Sequence, residues 1–199
     1  MTALIGSTVL AFISTNIDYL LILIIIFAKY KNKHDDKLIF IGELLGSGTL
    51  IVVSLVVAFW LKMIPEEWIL GFLGIIPIVM GIKMYFGDED EGNEVREKLG
   101  KPQRSIILSV IMITIATCGP DNLAIYVPFF TTLNAGDIPI VLGLFFIFLC
   151  MITWLSKMIT NLPKIQVFFE RFGDLITLLV YVFLGIYILL ESGTIQHFI

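Results

Sequence analysis

The chain has 199 residues, of which 58% are hydrophobic and 15% charged, with a formal net charge of -4. A soluble domain carries roughly 45–50% apolar and about 25% charged residues, so a single water-soluble core is excluded. The apolar residues fall in runs near or above the ~18 residues that cross a bilayer, which marks a polytopic membrane protein, with no nucleic-acid role and no length left for a soluble catalytic domain.

Span one is predicted over residues 4–28. It carries no basic residue before Lys29 and no small-residue cleavage site behind a short apolar core, so it is expected to stay as a helix rather than leave as a signal peptide. Asp18 lies about fourteen residues, or roughly 21 Å, along it, well inside the apolar layer. A carboxylate there costs several kcal/mol unless it is neutral, paired or hydrated, and an ion or proton path is the usual reason to keep one. Asn16 and Thr15 add neutral oxygens beside it.

Span two is predicted over 38–60, with Glu43 about six residues in, in Gly42-Glu43-Leu44-Leu45-Gly46-Ser47-Gly48. Glu43 reads as a cation ligand or proton carrier or, equally, as an interfacial residue, and the small residues at 42, 46 and 48 favour close helix approach. Span three covers 68–86 and is followed by an acidic and basic stretch, 87–104. His34-Asp35-Asp36 and Asp88-Glu89-Asp90-Glu91 read as solvated loop.

Span four, 105–130, carries Asp121 at a depth like that of Asp18 but approached from the opposite side. Asn122 supplies an amide oxygen next to it. Cys118 is either a soft ligand favouring zinc or cadmium or a small buried apolar residue. Gly119-Pro120 is expected to interrupt the helix and free the carbonyl of Ala116 beside Asp121. Tyr126 and Pro128 line an exit or merely shape the helix. Span five, 138–156, holds Cys150, and span six covers 173–191. Both cysteines sit in apolar runs, where a disulfide framework is not expected.

Lysines and arginines gather after spans one (Lys29, Lys31, Lys33, Lys37), three (Arg96, Lys98, Lys101, Arg104) and five (Lys157, Lys164, Arg171), while the alternate links hold little beyond Lys62. The positive-inside rule then puts both termini outside. Three spans on either side of 87–104 imply two inverted repeats, 1–86 and 105–199. Ser14-Thr15-Asn16-Ile17-Asp18-Tyr19-Leu20 aligns with Thr117-Cys118-Gly119-Pro120-Asp121-Asn122-Leu123, and Gly81 with Gly185. The expected fold is thus an all-α membrane protein of six transmembrane helices.

Ser-Thr-Asn-Ile-Asp in span one and Gly-x-Asp-Asn-x-x-x-Tyr-x-Pro in span four resemble the cadmium-resistance transporter family (CadD type) of the LysE superfamily, over nearly the whole chain. The resemblance implies a 3+3 membrane fold, export of cadmium or a related divalent cation from bacterial cells, and a site around Asn16, Asp18, Asp121 and Asn122. The chain departs from that pattern in three places. Tyr19 stands where a second acidic residue is expected, Glu43 where a glutamine is, and Cys118-Gly119-Pro120 replaces Asn-Gly-Gly.

The expectation is a secondary transporter of the plasma membrane that exports a divalent cation (cadmium, zinc or manganese), without a permanently bound cofactor. Protons are the expected counter-ion, since no Gly-x-x-x-x-Gly-Lys-Ser/Thr loop is present for ATP. Metal ligands are expected among Asp18, Asp121, Asn16, Asn122, Glu43 and Cys118. The alternatives are a thiol-redox carrier, which the axial offset of Cys118 and Cys150 disfavours, an exporter of a small organic solute such as an amino acid, and a passive channel. The lipid bilayer is the surrounding partner, and homodimer formation is left open.

Overall fold

The computed structural model describes residues 2–30, 33–63, 70–86, 105–162, 175 and 178–190, with the backbone alone at Asp18, Lys33, Gly71, Gly81 and Met84. Every regular element among them is helical. In chain order these are α1 (Thr2–Lys29), α2 (Lys33–Leu61), a 3-10 turn (Gly71–Gly74) running into α3 (Ile75–Phe86), α4 (Ile106–Thr132), α5 (Ile138–Ile159) and α6 (Leu178–Leu190). Each falls on one of the expected apolar runs. The linker 87–104 and the basic residues Lys31, Lys164 and Arg171 lie outside the described residues.

By length and composition α2, α4 and α5 suffice to cross a membrane. Helix α1 makes a fourth if its parts Thr2–Ile17 and Tyr19–Lys29, inclined at 51° to each other, form one span. The 12 residues of α3 reach only about 18 Å, short of the roughly 30 Å hydrocarbon layer. The chain is therefore an all-helical membrane protein with three or four long apolar helices among the described residues.

Two sequence expectations change. Helix α2 starts at Lys33 rather than 38, because Asp35 and Asp36 occupy its first turn, where their charge meets the positive end of the helix dipole. His34-Asp35-Asp36 is thus helical, and Glu43 lies about ten residues, or roughly 15 Å, from the helix start. Helix α4 also runs unbroken through Gly119-Pro120. Residues two apart on a helix differ by about 200° around its axis, so Pro120 lies nearly opposite Cys118 and Asn122. Pro120 and Ala116 are exposed while Cys118 and Asn122 are buried, so the carbonyl that the proline frees lies on the outer face of α4, away from the interior.

The bundle closes chiefly through α2 on α4 and α1 on α5, with α1 also against α4. Glycine sets the distance between α2 and α4. A β-carbon at Gly42 would lie 2.8 Å from Val110 Cβ, and one at Gly46 would lie 2.9 Å from Thr114 Cβ, so two positions four apart on α2 nest over two positions four apart on α4. Gly48, which has open space beside it, plays no part in this contact. Helices α3 and α6 approach more closely still. A β-carbon at Gly185 would stand 2.4 Å from the carbonyl oxygen of Gly74, and the pairings Gly74 with Ile188 and Ile78 with Gly185 run in opposite senses, so the two helices are antiparallel.

Phe12, Tyr126, Phe129, Phe130 and Phe145 form an aromatic cluster between α1, α4 and α5, the Tyr126 and Phe145 centroids lying 4.9 Å apart. Outward, α2 and α5 present large apolar side chains, with Trp60 71% and Trp154 62% exposed. Such belts would drive aggregation in water and are satisfied by lipid. At opposite ends of α2 and α5 the bundle has a polar tie: Lys157 of α5 pairs with Asp36 at the start of α2, and Lys62 beyond the end of α2 donates to the Leu133 carbonyl beyond the end of α4.

Candidate functional site

Helix α4 carries the polar interior. Ser109, Thr114, Thr117, Cys118, Asn122, Tyr126 and Thr131 are all buried along it, and Ser109, Thr114 and Thr117 return their hydroxyls to carbonyls four residues back at 2.7–2.9 Å. This bonding lets a hydroxyl sit in an apolar helix without an unpaired proton, and leaves its lone pairs for a second partner.

Two clusters use that capacity. In the first, Tyr126 Oη lies 2.7 Å from Thr15 Oγ1 and accepts from Asn16 Nδ2 at 3.2 Å. Asn16 Nδ2 also reaches Thr15 Oγ1 at 2.9 Å and the Phe12 carbonyl at 2.8 Å. The amide nitrogen is fully engaged, and its oxygen points away from all three acceptors. Tyr126 thus ties α4 to α1. It fixes the segment that leads into Asp18.

The second cluster gathers α1, α2 and α4 around Glu43, which is completely buried. Ser47 Oγ donates to its Oε1 at 2.5 Å, Tyr19 Oη donates to its Oε2, and Thr114 Oγ1 stands 3.2 Å from Oε2 and 2.7 Å from Tyr19 Oη. The glycine contact explains the convergence: Gly46 lets Thr114 come down onto α2, and Glu43 and Ser47, one helical turn apart, flank that contact. Among the described residues no lysine, arginine or histidine pairs with Glu43. Tyr19 and Glu43, two positions at which this chain departs from the pattern that its motifs resemble, are thus bonded to each other. Thr114 was not singled out by sequence reasoning, and Tyr19 was noted only as a departure from that pattern.

The clusters bracket a level. Thr114 and Tyr126 are twelve residues, or about 18 Å, apart along α4, and Cys118, Asp121 and Asn122 lie between them. Asn122 Oδ1 is buried with no hydrogen-bond partner among the described residues. Asp121 is half-buried and makes contacts of its own. Cys118 is buried with its sulfur 3.4 Å from Thr117 Oγ1, and both it and Glu43 lie within electrostatic range of Tyr19 and Tyr126. The backbone of Asp18 joins the segment held by Thr15 and Asn16 to the one held by Tyr19; its side chain is outside the description. Among the described residues no three His, Cys, Asp or Glu side chains come together. Cys118 and Cys150 are not joined in a disulfide.

A helical membrane bundle with amide, hydroxyl and carboxyl groups at mid-height along α4 has the build of a carrier for a polar solute or an ion. The chain belongs to the cadmium resistance transporter family, whose model matches residues 12–199. No curated protein and no solved structure matches the chain.

Proposed function

We propose that the protein exports a divalent cation, cadmium with zinc or manganese as the other candidates, across the bacterial plasma membrane. The observation that carries this reading is the buried oxygen of Asn122 beside Asp121, which has no hydrogen-bond partner among the described residues. A buried acceptor without a donor costs about 1–3 kcal/mol, a cost that a passing cation removes. Asp18, Asp121, Asn16 and Asn122 are the proposed ligands, with the Cys118 sulfur as a soft donor that favours cadmium or zinc over harder ions.

Transport is proposed to work by alternating access between two inverted three-helix halves, residues 1–86 and 105–199, with six crossings and both termini outside. The helix pairing supports this reading. If α1, α2 and α3 exchange with α4, α5 and α6, the α2–α4 contact becomes the α5–α1 contact, and the antiparallel α3–α6 contact maps onto itself. Moving a doubly charged ion out against an inside-negative potential costs about 4.6 kcal/mol per 100 mV, and inward proton flow is the proposed source of that energy.

The test is cadmium movement in proteoliposomes by the full chain and by an Asp18→Asn/Asp121→Asn variant. The wild type is expected to exchange and accumulate cadmium and the variant to do neither. Equal rates for the two would end the proposal.

A further inference from the structure

The Glu43 cluster is built differently from the level between the two tyrosines. A cation site presents lone pairs to one point, and Asn122 does so. Around Glu43 the hydroxyls instead direct protons at the carboxyl group, with Ser47 on one oxygen and Tyr19 on the other, where Thr114 adds a further donor when its single proton turns from the Val110 carbonyl. For Glu43 to ligate a metal through Oε2, both donors there would have to turn away, and Oε1, which already accepts from Ser47, would be left with one further lone pair to offer. We infer that Glu43 is the proton-carrying group of the transport cycle and not a ligand of the transported metal, with Tyr19, Ser47 and Thr114 as the residues that position it. This rests on the transport reading above and assigns its coupling site.

The hydrogen bonds fit either protonation state of Glu43 through rotation of hydroxyl groups alone. When the carboxylate is charged, Ser47 and Tyr19 donate to it and Thr114 adds a third donor. When a proton binds Oε2, Glu43-COO⁻ and H⁺ become Glu43-COOH with no other bond made or broken. Thr114 then donates a hydrogen bond to the Val110 carbonyl, 2.9 Å away, and Tyr19 turns to donate to Thr114 Oγ1 at 2.7 Å while its oxygen accepts from the carboxyl O–H. Hydroxyls can serve as donor or acceptor, whereas a lysine or arginine beside the carboxyl group would have fixed it in the charged form. The groups facing Glu43 are Tyr19 from α1, Ser47 from α2 itself and Thr114 from α4, with Tyr126 of α4 within electrostatic range.

The cluster also lies where coupling needs it. Tyr19 follows Asp18 in the chain and begins the Tyr19–Lys29 part of α1. Protonation removes the charge that Tyr19 donates to and so loosens the tie of that part to α2. The Thr2–Ile17 part stays held by Thr15 and Asn16 on Tyr126.

The experiment compares two modes of cadmium movement by the full chain in proteoliposomes: exchange of labelled for unlabelled cadmium at equal pH, and accumulation driven by a pH gradient. Glu43→Gln is expected to leave exchange within about twofold of wild type while gradient-driven accumulation falls about tenfold or more. Cadmium affinity should stay within about threefold, whereas removal of a metal partner costs 10–100-fold. Tyr19→Phe should keep exchange and shift the pH dependence of accumulation. Glu43→Asp keeps a carboxyl group and should restore accumulation if the glutamine variant does not fold. Gradient-driven accumulation by Glu43→Gln at the wild-type level would overturn the assignment, as would a tenfold loss of cadmium affinity in that variant. Absence of exchange in the wild type would instead end the transport reading, and this assignment with it.

Discussion

Asn122 separates the demands of stability from those of function at a single side chain. Its buried oxygen has no partner among the described residues, so replacing the amide with an apolar group of similar size removes a desolvation cost of about 1–3 kcal/mol. Asn122→Leu is therefore expected to melt in detergent at the wild-type temperature or above it, while cadmium transport falls by tenfold or more, in the manner of sites kept for activity at the expense of stability. A variant that lost stability and transport together would place the oxygen in a structural role. Tyr126→Phe should behave in the opposite way. Thr15 and Asn16 both retain the Phe12 carbonyl as an acceptor, so the loss is about 1 kcal/mol in thermal stability, with the metal preference unchanged.

At the scale of elements, the same residue type has opposite roles at different positions. Gly48 faces open space, so Gly48→Ala should stabilise α2 by about 0.5–1 kcal/mol through helix propensity. Gly46→Ala and Gly185→Ala put a methyl group 2.9 Å from Thr114 Cβ and 2.4 Å from a backbone oxygen, and should cost about 1–3 kcal/mol as the helices move apart. Thermal unfolding of the three variants side by side checks the order. Much of this level was legible beforehand: the lengths of the apolar runs located each helix, and the small residues at 42 and 46 announced a close contact. The start of α2 was missed because a hydropathy run ends at charge, whereas a helix accepts Asp35 and Asp36 in its first turn. The break expected at Gly119-Pro120 is absent because the proline sits on the outer face of a helix that tolerates it. The bond between Tyr19 and Glu43 joins residues 24 apart on different helices, and no periodicity or spacing rule reaches it.

Across the whole molecule, the two polar ties set how firmly each end is closed. Lys157 to Asp36 holds α5 to α2 at one end, and Lys62 to the Leu133 carbonyl holds α2 to the segment after α4 at the other. Each joins residues before the 87–104 linker to residues after it, so the proposed alternating access would break one tie at a time. Lys157 is about half exposed, its side chain at 47%, and an ion pair so placed contributes at most about 1 kcal/mol. That is too little to decide folding, but 1 kcal/mol is a roughly fivefold change in a population. Cys118 reports the difference, because it is buried in the closed bundle at the level of Asp121. In a Cys150→Ser background, Asp36→Asn should raise the rate at which an impermeant maleimide labels Cys118 from the Asp36 end by up to about fivefold. Lys62→Met should do so from the other end, and saturating cadmium should protect the thiol in both. Equal labelling from both ends in each variant would mean that the ties close nothing, and that access to the central level is governed by the packed helices alone.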